Sequence, residues 1–122
     1  MRDHIKTLAG HVWSTLGPGF SERVYHNAME VGLRQLNIPY QTERIVPIVF
    51  DGHTIGNIRA YLIVDSRILV ELKSVRALKD EHRVQTQMYM KLLQLPEGLL
   101  INFPSGGEHI EMENFNIDAN YK

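Results

Sequence analysis

The sequence predicts a mixed α+β fold, a mixed central sheet flanked by helices, and three observations carry that prediction. Apolar residues recur at helical spacing as far as Leu36, alternate with period two between Tyr40 and Ser74, and return to helical spacing from Asp80 to Gln94. The resulting order of helix, helix, three strands, helix and further strands describes one layer of sheet with helices against it. Between the first two strand-like runs stands Asp51-Gly52, a strong short hairpin signal because Gly tolerates the positive φ of a type I′ turn.

Each element follows from local pattern. From about Asp3 to Leu16, Ile5, Leu8, Val12 and Leu16 fall at helical spacing, and Gly17-Pro18-Gly19 breaks the run. A second helix is expected from Phe20 or Ser21 to Leu36, stopped by Asn37 and Pro39. Strands follow at about Tyr40 to Phe50, His53 to Val64 and Ile68 to Ser74. A third helix runs from about Asp80 to Gln94, closed by Pro96, and short strands cover Gly98 to Asn102 and His109 to Phe115 around Pro104-Ser105-Gly106-Gly107. At 122 residues and 43% apolar the chain is expected to form one domain over residues 1–122, with a single core.

Composition narrows the chemistry. Without cysteine there is no disulfide, no thiol nucleophile and no thiolate zinc site. Apolar runs fall short of the roughly 18 residues of a membrane span, and the Met1 end is charged, so a soluble, cytoplasmic protein is expected. With a net charge of −1, an anionic partner must be held by a local cluster of cations. Six histidines include no zinc-helix spacing, and His4 and His11 read as surface residues, whereas Trp13 and the methionines read as core. The glycines around Pro18 lack the Lys and Ser or Thr of a phosphate loop.

The hairpin IRAYLIVDSRILVELKSV, Ile58 to Val75, holds the unusual residues. An odd turn around Asp65-Ser66-Arg67 pairs Val64 with Ile68, Leu62 with Val70 and Ala60 with Leu72, which makes one face wholly apolar; a one-residue slip would scatter charge through it. That register sets Tyr61 opposite Glu71 and Arg59 opposite Lys73. The Asp51-Gly52 turn in turn predicts Phe50 beside His53, Ile48 beside Ile55, Arg44 beside Arg59, and Thr42 near Tyr61. One sheet face thereby gathers Arg44, Arg59, Tyr61, Glu71 and Lys73, where a bound anion would relieve the like charges; a solvated charged face is the alternative.

On the second helix the predicted apolar arc contains Phe20, Val24, Tyr25, Ala28, Met29 and Leu33, with Val31 and Leu36, and Glu22 falls inside it near the edge. On the third, Val84, Met88, Tyr89, Leu92 and Leu93 form the arc and Gln85 lies near its middle. A half-buried Glu or Gln is costly unless paired, either with a backbone group or with a ligand. Two carboxylates, Glu22 and Glu71, with Lys73 and Gln85 beside arginines suit phosphodiester chemistry. Mg²⁺ takes oxygen ligands and recruits substrate phosphate, and a Lys stabilises developing charge. The E-x-K spacing matters because period two places both side chains on one strand face.

LGPGFSERVYHNAMEVGL (Leu16 to Leu33), IRAYLIVDSRILVELKSV and EHRVQTQMYMKLL (Glu81 to Leu93) resemble, in order and spacing, the small GxxExxY proteins of the PD-(D/E)XK nuclease superfamily. The resemblance runs from about Ile5 to Phe103. Singly, E-x-K is a weak signal; with Gly19 to Tyr25 and the Gln85 to Tyr89 pair in this order it becomes specific. It implies a restriction-endonuclease-like αβββαβ core behind an extra N-terminal helix. It also implies catalytic positions at Glu22, Glu71, Lys73 and Gln85 and metal ligation of Mg or Mn by Glu22, Glu71 and the Leu72 carbonyl; substrate contacts are expected from Arg44 and Arg59 of the charged face and from Tyr25 and Tyr89 of the motifs. The partner implied is nucleic acid, DNA in preference to RNA, with a homodimer as a further option.

One position departs from the family. Arg59-Ala60-Tyr61 stands where the family has R-A-D, whose Asp is the pivotal metal ligand. Tyrosine is bulky and uncharged near neutral pH, a poor Mg²⁺ ligand. Asp65 shares its strand parity but lies about 13 Å further along, and Asp51 is at the far hairpin tip. The expectation is therefore a metal-dependent nuclease-like protein with activity weakened or lost and its ion weakly held. The alternatives are a catalytically silent fold that binds nucleic acid, with Tyr61 as stacking ring or cavity filler, or a protein-interaction module.

Overall fold

The computed structural model describes residues 1–117. Helices α1 (Arg2–Leu16) and α2 (Glu22–Gln35) lead into β1 (Tyr40–Gln41), β2 (Arg44–Phe50), β3 (His53–Ala60), β4 (Ile63–Val64) and β5 (Ile68–Lys73). Helix α3 (Asp80–Leu93) then connects to β6 (Glu97–Asn102) and β7 (Glu111–Asn116). The main sheet has the order β1-β4-β5-β6-β7, and β2-β3 forms a separate two-stranded ribbon. Among the described residues only the β5–β6 pair is parallel, joined through α3 as a parallel pair requires. The mixed sheet flanked by helices is the architecture expected from the sequence.

The core lies on both faces of the main sheet. On one, Ile5, Leu8, Ala9 and Val12 of α1 and Tyr25, Met29 and Leu33 of α2 pack on Leu62, Val64, Ile68, Val70, Leu72, Leu99, Ile101 and Phe103. On the other, Met90 and Leu93 of α3 with Leu95 meet Ile58, Ala60, Ile63 and Leu69. Close approach needs glycine at two points: a Cβ on Gly32 would overlap the Leu8 side chain, and one on Gly98 would lie 2.5 Å from Met90 Sδ. Among the described residues no helix is long and apolar enough to cross a membrane.

Several expected registers change, each for a local reason. Val64 does pair with Ile68, and the Val70 amide donates to the Leu62 carbonyl at 3.0 Å, so the odd turn is present. Asp65 and Ser66 both take positive φ within it. The expected long strand His53 to Val64 is nevertheless broken at Tyr61-Leu62. β3 pairs with β2 alone, and only the two residues of β4 pair with β5. Parity therefore resets, Ala60 joins the α3-side core instead of facing Leu72, and no Arg59–Lys73 strand pair forms.

In the ribbon, Asp51 and Gly52 have φ of 49° and 80°, as a type I′ turn demands, and Phe50 pairs with His53. A bulge at Ile48/Val49 then inserts Ile55, so Ile48 pairs with Gly56, Arg44 with Ala60 and Arg59 with Ile45. Arg44 thus lies on the opposite ribbon face from Arg59. Glu43 at positive φ also separates β1 from β2, which the sequence read as one strand.

The helical arcs are narrower or rotated. Phe20, Val31 and Leu36 are exposed on and beside α2. On α3 the buried residues are Thr86, Met90 and Leu93, while Val84, Met88 and Leu92 are exposed, so Gln85 and Tyr89 flank the buried face. Docking of Met90 against the bare Gly98 fixes that rotation.

Tyr25, expected at the substrate, is a core residue. It is 1% exposed, stacks on Phe103 with centroids 4.4 Å apart and donates its hydroxyl to the Gly17 carbonyl at 2.6 Å. Because the ring supplies most of that stabilisation, Tyr25→Ala is expected to cost about 3–5 kcal/mol and Tyr25→Phe only about 1 kcal/mol. Urea unfolding of the two variants checks this; equal losses would contradict it.

Candidate functional site

The site begins with strand parity. Ile68, Val70 and Leu72 point to the α1–α2 core, so Leu69, Glu71 and Lys73 point to the α3 side. Because β4 is two residues long, it covers β5 only at Ile68 and Leu69. Beyond that point the Glu71–Lys73 half of β5 borders a cavity of about 360 Å³.

Three elements close the cavity around that strand. The first turns of α2 bring Glu22, Arg23 and His26; the end of β3 and the break after it bring Arg59 and Tyr61; α3 brings Gln85 and Tyr89. Glu22, Glu71, Leu72, Lys73 and Gln85 therefore line one cavity, with Arg59 and Tyr89 beside them. Arg44 and Tyr25 do not line the cavity, the first because of the ribbon bulge and the second because it is core.

Lys73 Nζ donates to Gln85 Oε1 at 3.3 Å, which fixes the amide orientation and satisfies the half-buried Gln. The chain just after Lys73 is held by the fully buried Asn102. Its Oδ1 accepts from the Val75 amide at 2.9 Å, and its Nδ2 donates to the Val75 carbonyl and to Glu111 Oε1. Glu111 Oε1 also accepts from the Leu78 amide at 3.1 Å, so the β5–α3 connection is clamped by β6 and β7.

Burial pushes the Glu71 carboxyl up to about 7; Lys73 opposes that rise and the Glu22 charge adds to it. Burial likewise raises the Tyr89 phenol, with the Glu71 carboxylate adding and the Gln85 hydrogen bond opposing. Tyr89 is therefore a protonated hydrogen-bond donor at neutral pH. Arg59 also reaches Glu43 at 3.7 Å, an exposed pair of little energetic weight.

Tyr61 is 45% exposed and lines the cavity. His26 meets it edge to face with ring centroids 6.5 Å apart, and His26 Nε2 lies 2.7 Å from Glu30 Oε2. The sequence reading missed His26 and Arg23. For His26 the signal was present, since residues four apart share a helix face and Glu22 had already been placed. Arg23, charged and next to Glu22, looks in sequence like any solvated helix residue.

The donor set does not fit a tightly held divalent cation. The phenol of Tyr61 stands beside Glu22 and Glu71 where a hard cation would want a further carboxylate, and among the described residues no three His, Cys, Asp or Glu side chains are placed to share an ion.

A mixed sheet with a carboxylate and a lysine at period two beside a helix-borne glutamate defines a nuclease-like class of fold. The family model of the PD-(D/E)XK nuclease superfamily matches residues 1–115, and the chain belongs to that superfamily. Its nucleases generally use divalent metals. Among solved structures the chain is similar to the crystal structure of SSO0001, with a TM-score of 0.60 and 24% identity over 78% of this chain. The chain spans half the length of that protein, and the likeness is one of fold. No curated protein matches the sequence.

Glu71 binds its proton more tightly in the folded state than in the unfolded chain, where a glutamate has the ordinary value of 4.5. Its contribution to stability is thus fully present below pH 4.5 and is lost as pH rises through about 7. Relative to Glu71→Gln, the wild-type protein is expected to lose on the order of 2–3 kcal/mol across that range. Urea unfolding of both proteins at several pH values checks this; a pH-independent difference would contradict it.

Proposed function

We propose that this protein binds nucleic acid by gripping its phosphodiester backbone in the cavity, and that it cleaves that backbone weakly or not at all. The observation that carries this reading is the convergence of Arg23, Arg59 and Lys73 with Glu22 and Glu71 in one cavity that Tyr61 also lines, Tyr61 being the residue that the resemblance sets against the superfamily's Asp. Removing a carboxylate from such a site weakens its hold on a cation and strengthens it for an anion. A protonated Glu71 shifts the balance further in the same direction.

In this reading Lys73 and Arg59 hold phosphate oxygens, Gln85 orients Lys73 through their hydrogen bond, and the raised phenol of Tyr89 donates to substrate. A divalent ion, Mg²⁺ or Mn²⁺, is at most weakly held. Membership of the GxxExxY branch is supported by the Gly19 to Tyr25 run, with Glu22 in the cavity and Tyr25 bracing the Gly17 loop.

Restoring the acid tests this. Tyr61→Asp is expected to raise Mg²⁺ affinity at least tenfold and to bring DNA or RNA cleavage above that of the wild-type protein, and Lys73→Ala in that background should abolish the gain. Isothermal titration with Mg²⁺ and gel assays of labelled DNA and RNA of several shapes are the readouts. Salt-dependent binding without turnover by the wild-type protein supports the reading; no binding at low ionic strength contradicts it.

A further inference from the structure

We propose that the cavity takes one unpaired nucleotide, its phosphate on the cations and its base against Tyr61, so that single-stranded nucleic acid is the preferred ligand over duplex. The proposal rests on the reading just given and adds the substrate class.

Size is the first argument. About 360 Å³ is at the small end of ligand cavities, in the range of one small molecule. A duplex instead presents a phosphate charge for every ~1.7 Å of its axis and is gripped along a basic track. Here the net charge is −1. Four arginines elsewhere are engaged by carboxylates: Arg2 and Arg67 by Glu97, Arg34 by Glu30, and Arg83 by Asp80 and Glu113. Arg59 also reaches the exposed Glu43 at 3.7 Å, and it comes together with Arg23 and Lys73 at one cavity that Glu22 and Glu71 share.

The lining is the second. Rings of Tyr61, Tyr89 and His26 share the cavity with those three cations, a mixture that suits a stacked base beside its phosphate. Tyr61 is the ring best placed for stacking, because His26 steadies it while 45% of the residue stays open. A paired base inside a helix has both faces covered by its neighbours and cannot offer one to a side chain. The tyrosine in place of the acid therefore creates a platform that an unpaired base can use.

The test is fluorescence anisotropy in EDTA at low salt, with a labelled single-stranded 12-mer, the same sequence as a blunt duplex, and thymidine 5′-monophosphate as competitor. Expected are at least tenfold tighter binding of the single strand, displacement by the mononucleotide, and a tenfold or greater loss in Tyr61→Ala that Tyr61→Phe does not share. Circular dichroism verifies that both variants fold. Duplex binding as tight as single-strand binding would overturn the inference and leave the proposed function standing. Single-strand binding indifferent to Tyr61→Ala or to the mononucleotide would also overturn it. Binding of neither nucleic acid would overturn both.

Discussion

The alternation of β5 is the constraint from which the rest follows. Ile68, Val70 and Leu72 are drawn into the α1–α2 core by apolar burial, and that burial alone forces Glu71 and Lys73 to the other face. No slip of register could release the two charged residues without exposing three aliphatic ones, each worth about 1.5–3 kcal/mol of burial. Glu71 is accordingly held where water is scarce, and its carboxyl keeps a proton to about pH 7. The polar site is thus built at the expense of an ordinary carboxylate, and the core enforces it.

A short neighbouring strand turns that constraint into a cavity. Had β3 run on into β4, as the alternating pattern suggested, a continuous antiparallel partner would have covered Glu71 and Lys73. Instead the chain bends at Tyr61-Leu62, and the space left beside β5 is walled by the first turns of α2, by Tyr61 and by α3. Asn102 of β6 and Glu111 of β7 then brace the backbone after Lys73. At the bend, where the resemblance sets an acid, this chain has the ring of Tyr61, and that ring lines the cavity.

Much of this was legible in the sequence because it depends on local pattern. The E-x-K parity, the odd turn at Asp65-Ser66-Arg67, the type I′ turn at Asp51-Gly52 and the helix starting beside Glu22 all rest on contacts within a few residues. What was illegible depends on tertiary packing. The bulge at Ile48/Val49, which sends Arg44 away from the site, has no side-chain signature in its own run. The rotation of α3 is decided by the fit of Met90 to Gly98, far apart in sequence. Tyr25, expected at the substrate, is drawn inward by Phe103 and Gly17, whereas Asn102 reads in sequence as an ordinary strand end.

This cavity, with Tyr61 in it, is proposed to favour an anion and a neutral Glu71 over a divalent cation. Carbon-13 NMR titration of the Glu71 side-chain carboxyl, with and without millimolar Mg²⁺, measures that directly. The expected midpoint is near 7, and Mg²⁺ is expected to leave it in place. A midpoint driven down to the ordinary glutamate range by Mg²⁺ would show an intact metal centre and contradict it.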